Sequence, residues 1–147
     1  MRAVGAHCNV PLHSFGKIAK TEWLRTAEIR KNIFIDKFII MPNHLHGNIF
    51  ICDPDDVRAQ AVHSAQTERF GKSTHNSIPT IVKLFKSTVT KQINGLRNTP
   101  GQPVWQLNYF ERVIRDEDEL NRIREYIRYN ALKWDEDRDN PENWDNV

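Results

Sequence analysis

The chain has 147 residues and a formal net charge of +2, with 39% hydrophobic and 27% charged residues. This length predicts one domain, and the composition is typical of a soluble globular protein and excludes a disordered chain. Because the charges nearly balance, any affinity for nucleic acid must come from a local basic surface. We expect a single domain over residues 1–147, with a short irregular start (1–13), a polar loop (53–77) and an acidic tail (135–147).

The sequence gives no sign of a membrane segment or an export signal. No apolar run approaches the roughly 18 residues of a membrane-spanning helix, and MRAVGAHCNVPLH at the N-terminus has no signal-peptide core. Cys8 and Cys52 stand far apart, as is typical of free thiols in a reducing compartment. We therefore predict a cytoplasmic protein with no membrane partner.

The first half of the chain predicts one helix and one hairpin. Apolar residues recur at helical spacing over about 14–31, with Ser14 available as the N-cap. The segment IFIDKFIIMPNHLHGNIFIC then combines β-branched and aromatic residues with a Pro42-Asn43 turn signal. It predicts two strands folded into a hairpin, with His44 and His46 directly after the turn.

The second half predicts two helices and a further strand. An amphipathic helix is expected over about Pro79–Leu96, and PVWQLNYFERVIR (Pro103–Arg115) has the aromatic and β-branched content of a strand. Asp116 and Glu119 have the spacing of a capping box, which predicts a third helix over about Glu117–Leu132.

The histidine pair has two interpretations on spacing alone. Residues i and i+2 of a strand point to one face, so His44 and His46 project together and can bind one divalent ion. Two strand histidines satisfied by carbonyls and water would show the same pattern.

The third helix adds two residues that matter if it crosses the sheet near the histidines. Tyr126 and Asn130 stand four residues apart and share a helix face. Asn130 would then be able to donate a third metal ligand, with the Tyr126 hydroxyl directed at whatever the metal binds. Taken alone, Tyr126 fits a residue at the core edge and Asn130 a helix C-cap.

These motifs together resemble those of the single-tyrosine HUH transposases, in particular the REP-associated tyrosine transposases and their insertion-sequence relatives. The name HUH denotes histidine, bulky hydrophobe, histidine, which are His44, Leu45 and His46 here. The resemblance covers about Phe15–Pro141. It includes, in the family's order, the MPNH turn, a lysine-bearing helix with FKS, a VWQ-x-x-Y-F-E strand, and a DEDEL helix ending in EYI-x-x-N.

The resemblance implies a fold, a site and an activity. The fold would be α+β, with a central antiparallel sheet and helices packed on it as in ferredoxin-like proteins. MRAVGAHCNVPLH lacks the aromatic, β-branched segment of the strand that relatives place before the first helix, so we expect this strand to be missing. His44, His46 and Asn130 would coordinate Mg²⁺ or Mn²⁺, and Tyr126 would be the nucleophile. The enzyme would cut and rejoin single-stranded DNA beside hairpins through a 5′-phosphotyrosine intermediate, in DNA transposition.

The chemistry of such a site accounts for these residue types. Two imidazoles and a carboxamide add no negative charge, so the ion keeps its full attraction for a phosphate. A tyrosine with its ordinary pKa of about 10 needs a metal or a nearby cation to be a nucleophile at neutral pH. Arg124, Arg128 and Lys86 are candidates for that support, and each also fits a solvated helix charge.

The predicted DNA contacts combine cations for phosphates with aromatic rings for unpaired bases. Trp105 and Phe110 also fit an alternative in which they pack a sheet face. The predicted DNA-binding residues are Lys83, Lys86, Lys91, Trp105, Tyr109, Arg112, Arg115 and Arg124.

Two other functions remain open from the sequence. A missing first strand would expose a sheet edge, which favours a catalytically impaired protein that still binds DNA hairpins, and makes a homodimer plausible. A metallohydrolase built on the histidine pair would need carboxylate ligands, for which Asp36, Asp53 and Asp55 are available.

Overall fold

The computed structural model describes residues 13–52 and 76–136. The predicted irregular start, Cys8, Asp53, Asp55, the loop up to residue 75 and the tail beyond residue 136 lie outside these ranges. None of the helices in the two ranges is long and apolar enough to cross a membrane. The elements are α1 (Ser14–Ile29), β1 (Ile33–Ile40), β2 (Leu45–Ile51), α2 (Ile78–Arg97), α3 (Glu117–Asn130) and a 3₁₀ segment (Ala131–Glu136).

The fold is α+β, with β1 and β2 forming a two-stranded antiparallel sheet. The chain divides into two compact units. The first contains Ile35–Ile49 and the described residues from Val113 onward. The second contains the described residues up to Phe34 and those within Phe50–Arg112. The turn of the hairpin and all of α3 therefore belong to the first unit.

The hairpin turn is the predicted Pro42-Asn43 pair. The Met41 N–H donates a hydrogen bond to the His44 carbonyl at 2.9 Å across it. Proline suits this position because its ring fixes φ and its nitrogen has no hydrogen to leave unpaired. The turn places His44 directly before β2 and His46 on it.

An apolar cluster holds α3 on the hairpin in the first unit. Ile39 and Met41 from the hairpin and Ile127 from α3 are buried together. Ile123 and Trp134 pack against this cluster and are partly buried. Fully burying an aliphatic side chain of this size contributes about 1.5–3 kcal/mol. The cluster therefore stabilises the packing of one face of α3 on the hairpin.

The predicted Asp116 cap of α3 is confirmed, and Glu119 bonds back to the residue before the cap. The Glu119 N–H donates to Asp116 Oδ1 at 2.7 Å, and the Glu119 carboxylate accepts from the Arg115 N–H at 3.0 Å. The α-helix ends at Asn130, two residues before the predicted end, and the chain continues as the 3₁₀ segment.

Helices α1 and α2 form the core of the second unit. The rings of Trp23 and Phe85 meet edge to face at 5.3 Å between centroids. Ser77 caps α2, since its hydroxyl accepts from the Thr80 N–H at 3.4 Å. The prediction that Ser14 caps α1 is wrong, because Ser14 is already in the helix and the preceding residue makes no side-chain cap bond.

The prediction of a strand over Pro103–Arg115 is wrong, because the segment has no regular secondary structure. A strand requires a neighbour for its backbone hydrogen bonds. Here the carbonyls of Gln106 and Asn108 instead accept from Lys86 Nζ at 2.8 and 3.1 Å. Phe110 is 90% exposed, so its ring does not pack on a sheet face. The β propensity of the segment was therefore not enough to place it in the described sheet.

Candidate metal and tyrosine site

The two histidines lie side by side, as their spacing predicts. Their ring centroids are 4.7 Å apart and their planes cross at 78°. For two imidazoles on one ion, a metal–nitrogen distance of about 2.1 Å puts each centroid about 3.2 Å from the ion, so the centroids lie roughly 4.5–5.2 Å apart. The separation of His44 and His46 therefore fits a shared divalent ion.

Asn43 orients the first histidine. His44 Nδ1 and Asn43 Oδ1 are 2.6 Å apart. A carboxamide oxygen only accepts hydrogen bonds, so Nδ1 carries the hydrogen and Nε2 of a neutral His44 carries the lone pair. The Trp134 ring lies 6.1 Å from the His44 ring and limits its movement. Hydrogen bonds of this kind to a ligand's other nitrogen are common around protein metal sites.

Helix α3 brings Tyr126 to the second histidine. The rings of Tyr126 and His46 meet edge to face at 5.3 Å between centroids. Tyr126 is 56% exposed, so a large substrate can reach it. The other tyrosine of the helix, Tyr129, faces the Arg128 guanidinium at 5.8 Å. The contact with His46 therefore places Tyr126, the predicted nucleophile, beside the histidine pair.

Asn130 is buried at the end of α3 with part of its amide unpaired. The residue is 6% exposed, and its Nδ2 has no hydrogen-bond partner in the described part of the chain. An unpaired buried polar group costs about 1–3 kcal/mol, and because Nδ2 is a donor, a metal would bind Asn130 through Oδ1. Asn130 and Tyr126 line one open groove of about 600 Å³. The other lining residues are Arg122, Glu125, Tyr129 and Lys133.

His44, His46 and Asn130 were predicted to form one set of metal ligands. Within residues 13–52 and 76–136, no three His, Cys, Asp or Glu side chains form a group that would hold a metal. The Asn130 amide oxygen is a ligand type that Mg²⁺ and Mn²⁺ accept, but the groove that Asn130 lines has neither His44 nor His46 among its lining residues, so Asn130 stays a predicted ligand.

Arg124 was predicted to contact DNA, and the structure places it in an ion pair. Its Nε lies 2.6 Å from Asp36 Oδ2, and its Nη2 lies 3.1 Å from Asp36 Oδ1. Hydrogen bonding to Asp36 raises the pKa of Arg124 above its usual value, against a smaller opposing effect of burial. A third bond, to Asn121 Oδ1, is 3.3 Å long. Asp36 therefore binds α3 rather than a metal.

The predicted DNA-binding residues of the second unit divide into packed and exposed side chains. Trp105 is half-buried and its ring lies 5.4 Å from Phe85, which favours the packing interpretation for this residue. Lys86 lies 5.8 Å from the Tyr109 ring and donates to the backbone of the same segment. The Tyr109 hydroxyl donates to Glu111 at 3.1 Å.

Lys83, Lys91 and Arg112 are exposed in the second unit, and Arg115 is exposed in the first. These four side chains are therefore accessible to solvent and to a polyanion.

Sequence reasoning missed two residues of the site. Asn43 was assigned only to the turn, although its position next to His44 is a signal that it can bond the ring. Asp36 was considered only as a carboxylate ligand, although a lone acidic residue in an apolar strand usually has a cationic partner.

Comparison with known proteins gives one relative whose function is not described. No protein-family model and no solved structure matches the chain. A Haemophilus influenzae protein described as uncharacterized is 35% identical over 128 residues, which are 86% of this chain and 70% of that protein.

Proposed function

The chain belongs to the family of the uncharacterized Haemophilus influenzae protein, and we propose that it is a single-tyrosine HUH transposase of the REP-associated type. In this proposal it cleaves and rejoins single-stranded DNA beside hairpins, in the cytoplasm. The observation that carries the proposal is the contact between the rings of Tyr126 and His46. It supports the proposal because Tyr126, the proposed nucleophile on α3, lies beside His46, a proposed metal ligand on β2. The β1–β2 hairpin would be the centre of an HUH-type sheet.

His44, His46 and Asn130 would hold Mg²⁺ or Mn²⁺. The bound ion would neutralise charge on the phosphate oxygens as the transition state forms. The chain's own contribution is to fix the ligands: Asn43 holds His44 by one hydrogen bond, and Trp134 packs beside its ring.

Tyr126 would supply the nucleophilic oxygen. Its Oη forms a bond to phosphorus while the bond from phosphorus to the 3′ oxygen breaks, and the phenolic proton ends on the released 3′-hydroxyl. One phosphate ester replaces another, so the step is reversible and the strand can be rejoined without an external energy source. The exposure of Tyr126 supports this role, because the attacked phosphate belongs to a large substrate.

Single-stranded DNA would bind through cations and exposed rings. Lys83, Lys91 and Arg112 are exposed in the second unit, and the nearby Phe110 is available for stacking on an unpaired base. Trp105 is packed, so in this proposal it supports the segment instead of touching a base.

The test is covalent capture of DNA. The protein and its Tyr126→Phe variant are incubated with a labelled pool of single-stranded hairpin oligonucleotides, with Mn²⁺, Mg²⁺ or EDTA, and run on denaturing protein gels. The proposal predicts a labelled band at the position of the protein that requires both the metal and Tyr126. A band that persists with Tyr126→Phe or with EDTA would contradict it.

A second candidate is a hairpin-binding protein that does not cut. It is favoured by the position of Pro103–Arg115 outside the described sheet, because the HUH resemblance implies a strand there. This candidate predicts that the same oligonucleotides are shifted on native gels while no covalent band forms.

A further inference from the structure

Arg124 on α3 and Asp36 on β1 form an ion pair whose hydrogen bonds are directional, unlike the apolar packing of α3 on the hairpin. Arg124 binds both carboxylate oxygens of Asp36, at 2.6 and 3.1 Å. The side chains are 32% and 17% exposed, so the pair is partly protected from water. Two parallel hydrogen bonds of this type are directional, whereas contacts among aliphatic side chains permit sliding and rotation.

Arg124 and the reacting tyrosine of the proposed function leave α3 on nearly opposite sides, since two residues turn the helix by about 200°. Arg124 precedes Tyr126 by two residues on α3, a rise of about 3 Å. Side-chain tips lie about 5–6 Å from a helix axis, so a rotation of roughly 20° would move them by about 2 Å. On the side of Tyr126, the ring contact with His46 opposes such a rotation.

We infer that Arg124 and Asp36 are positioning residues, which fix the rotation of α3 so that Tyr126 stays against His46. The inference rests on the proposed function for its catalytic meaning, since only a reaction at Tyr126 makes the rotation matter. It assigns Arg124 a role different from phosphate binding, although a free arginine at this position would suit a polyanion. A displacement of about 1 Å can slow a positioned reaction by about 100-fold.

Two variants separate positioning from DNA binding. Arg124→Lys keeps the positive charge but loses the paired geometry, and Asp36→Asn leaves Arg124 intact while removing a negative charge. If the pair positions α3, both variants lower the rate of covalent adduct formation by about 10- to 100-fold, with hairpin binding changed by less than about 2-fold. If Arg124 instead binds phosphate, Asp36→Asn leaves the rate unchanged or raises it, and this result would overturn the inference.

A second readout does not depend on activity. The His46 and Tyr126 rings are close enough to give a nuclear Overhauser effect between their ring protons. We expect this signal in the wild-type protein and its loss or marked weakening in Asp36→Asn, at a temperature where both remain folded. A retained signal would refute the positioning role. Arg25→Lys is the control, because the exposed Arg25 side chain pairs with Glu22 at 3.7 Å within α1, and this replacement should change neither readout.

The two readouts distinguish failure of the inference from failure of the proposed function. No adduct with the wild-type protein, together with a ring signal that depends on Asp36, would retain the positioning pair and reject the transesterase. A wild-type adduct whose rate is insensitive to Asp36→Asn would retain the transesterase and reject the positioning pair.

Discussion

Replacing Asn130 with leucine should stabilise the metal-free protein and remove its response to metal. Leucine has the same branched shape as asparagine, so it fills the same space without the unpaired Nδ2 that Asn130 buries. Removing one unpaired buried group should raise the free energy of unfolding by about 1–3 kcal/mol. Each kcal/mol should raise the melting temperature by roughly 2–4 °C. The same change removes a proposed metal ligand.

The assay is thermal unfolding with EDTA and with increasing Mn²⁺. An ion that binds only the folded protein stabilises it by about 2.7 kcal/mol at 100 times its dissociation constant. Wild-type protein should therefore melt higher with Mn²⁺, whereas Asn130→Leu should melt higher than wild type in EDTA and gain little from Mn²⁺. Destabilisation in EDTA with a normal response to Mn²⁺ would refute the reasoning and identify Asn130 as a structural C-cap.

Asn48→Leu is the matched control for this experiment. Asn48 is 6% exposed and its Nδ2 is also unpaired in the described part of the chain, but the proposal does not use it as a ligand. Its replacement should raise the melting temperature in EDTA by a similar amount and leave the increment from Mn²⁺ unchanged. Loss of the Mn²⁺ response in Asn48→Leu would show that the assay does not isolate ligand loss.

Four further changes test other contacts of the site and of the DNA surface. Tyr126→Phe should abolish the covalent band while leaving the Mn²⁺ increment in melting temperature intact, since the ring that contacts His46 remains. Asn43→Ala should weaken Mn²⁺ binding by about 10- to 100-fold in isothermal titration calorimetry, and an unchanged affinity would contradict its orienting role. Phe110→Ala should weaken single-stranded DNA binding by roughly 1–3 kcal/mol in fluorescence anisotropy, with the unfolding free energy within about 0.5 kcal/mol of wild type. Trp105→Ala should instead lower the unfolding free energy by more than about 1 kcal/mol, because Trp105 packs on Phe85.

Local signals predicted the elements that are stabilised by neighbours in sequence. The capping box of Asp116 and Glu119 marks the start of α3, and Pro42-Asn43 marks the hairpin turn. Both depend on residues within a few positions, which periodicity and turn chemistry describe well. The segment Pro103–Arg115 was mispredicted because a strand depends on a pairing neighbour that is distant in sequence.

The same distinction applies to the candidate site. Spacing predicts that His44 and His46 share a face and that Tyr126 and Asn130 share another. Spacing alone does not predict that the two faces meet, since this depends on how α3 packs against the hairpin. The contact of Tyr126 with His46 and the pairing of Arg124 are tertiary contacts, and they became visible only in the folded chain.

Mass spectrometry of the trapped DNA adduct tests the central claim most directly. Trypsin cleaves after arginine and lysine, so Tyr126 falls in a peptide of Glu125–Arg128 and Tyr129 in a separate peptide of Tyr129–Lys133. After nuclease digestion of the DNA, the account predicts a nucleotide joined through its 5′-phosphate to Tyr126 in the first peptide, formed only with metal. A nucleotide on Tyr129, or one joined through a 3′-phosphate, would contradict it.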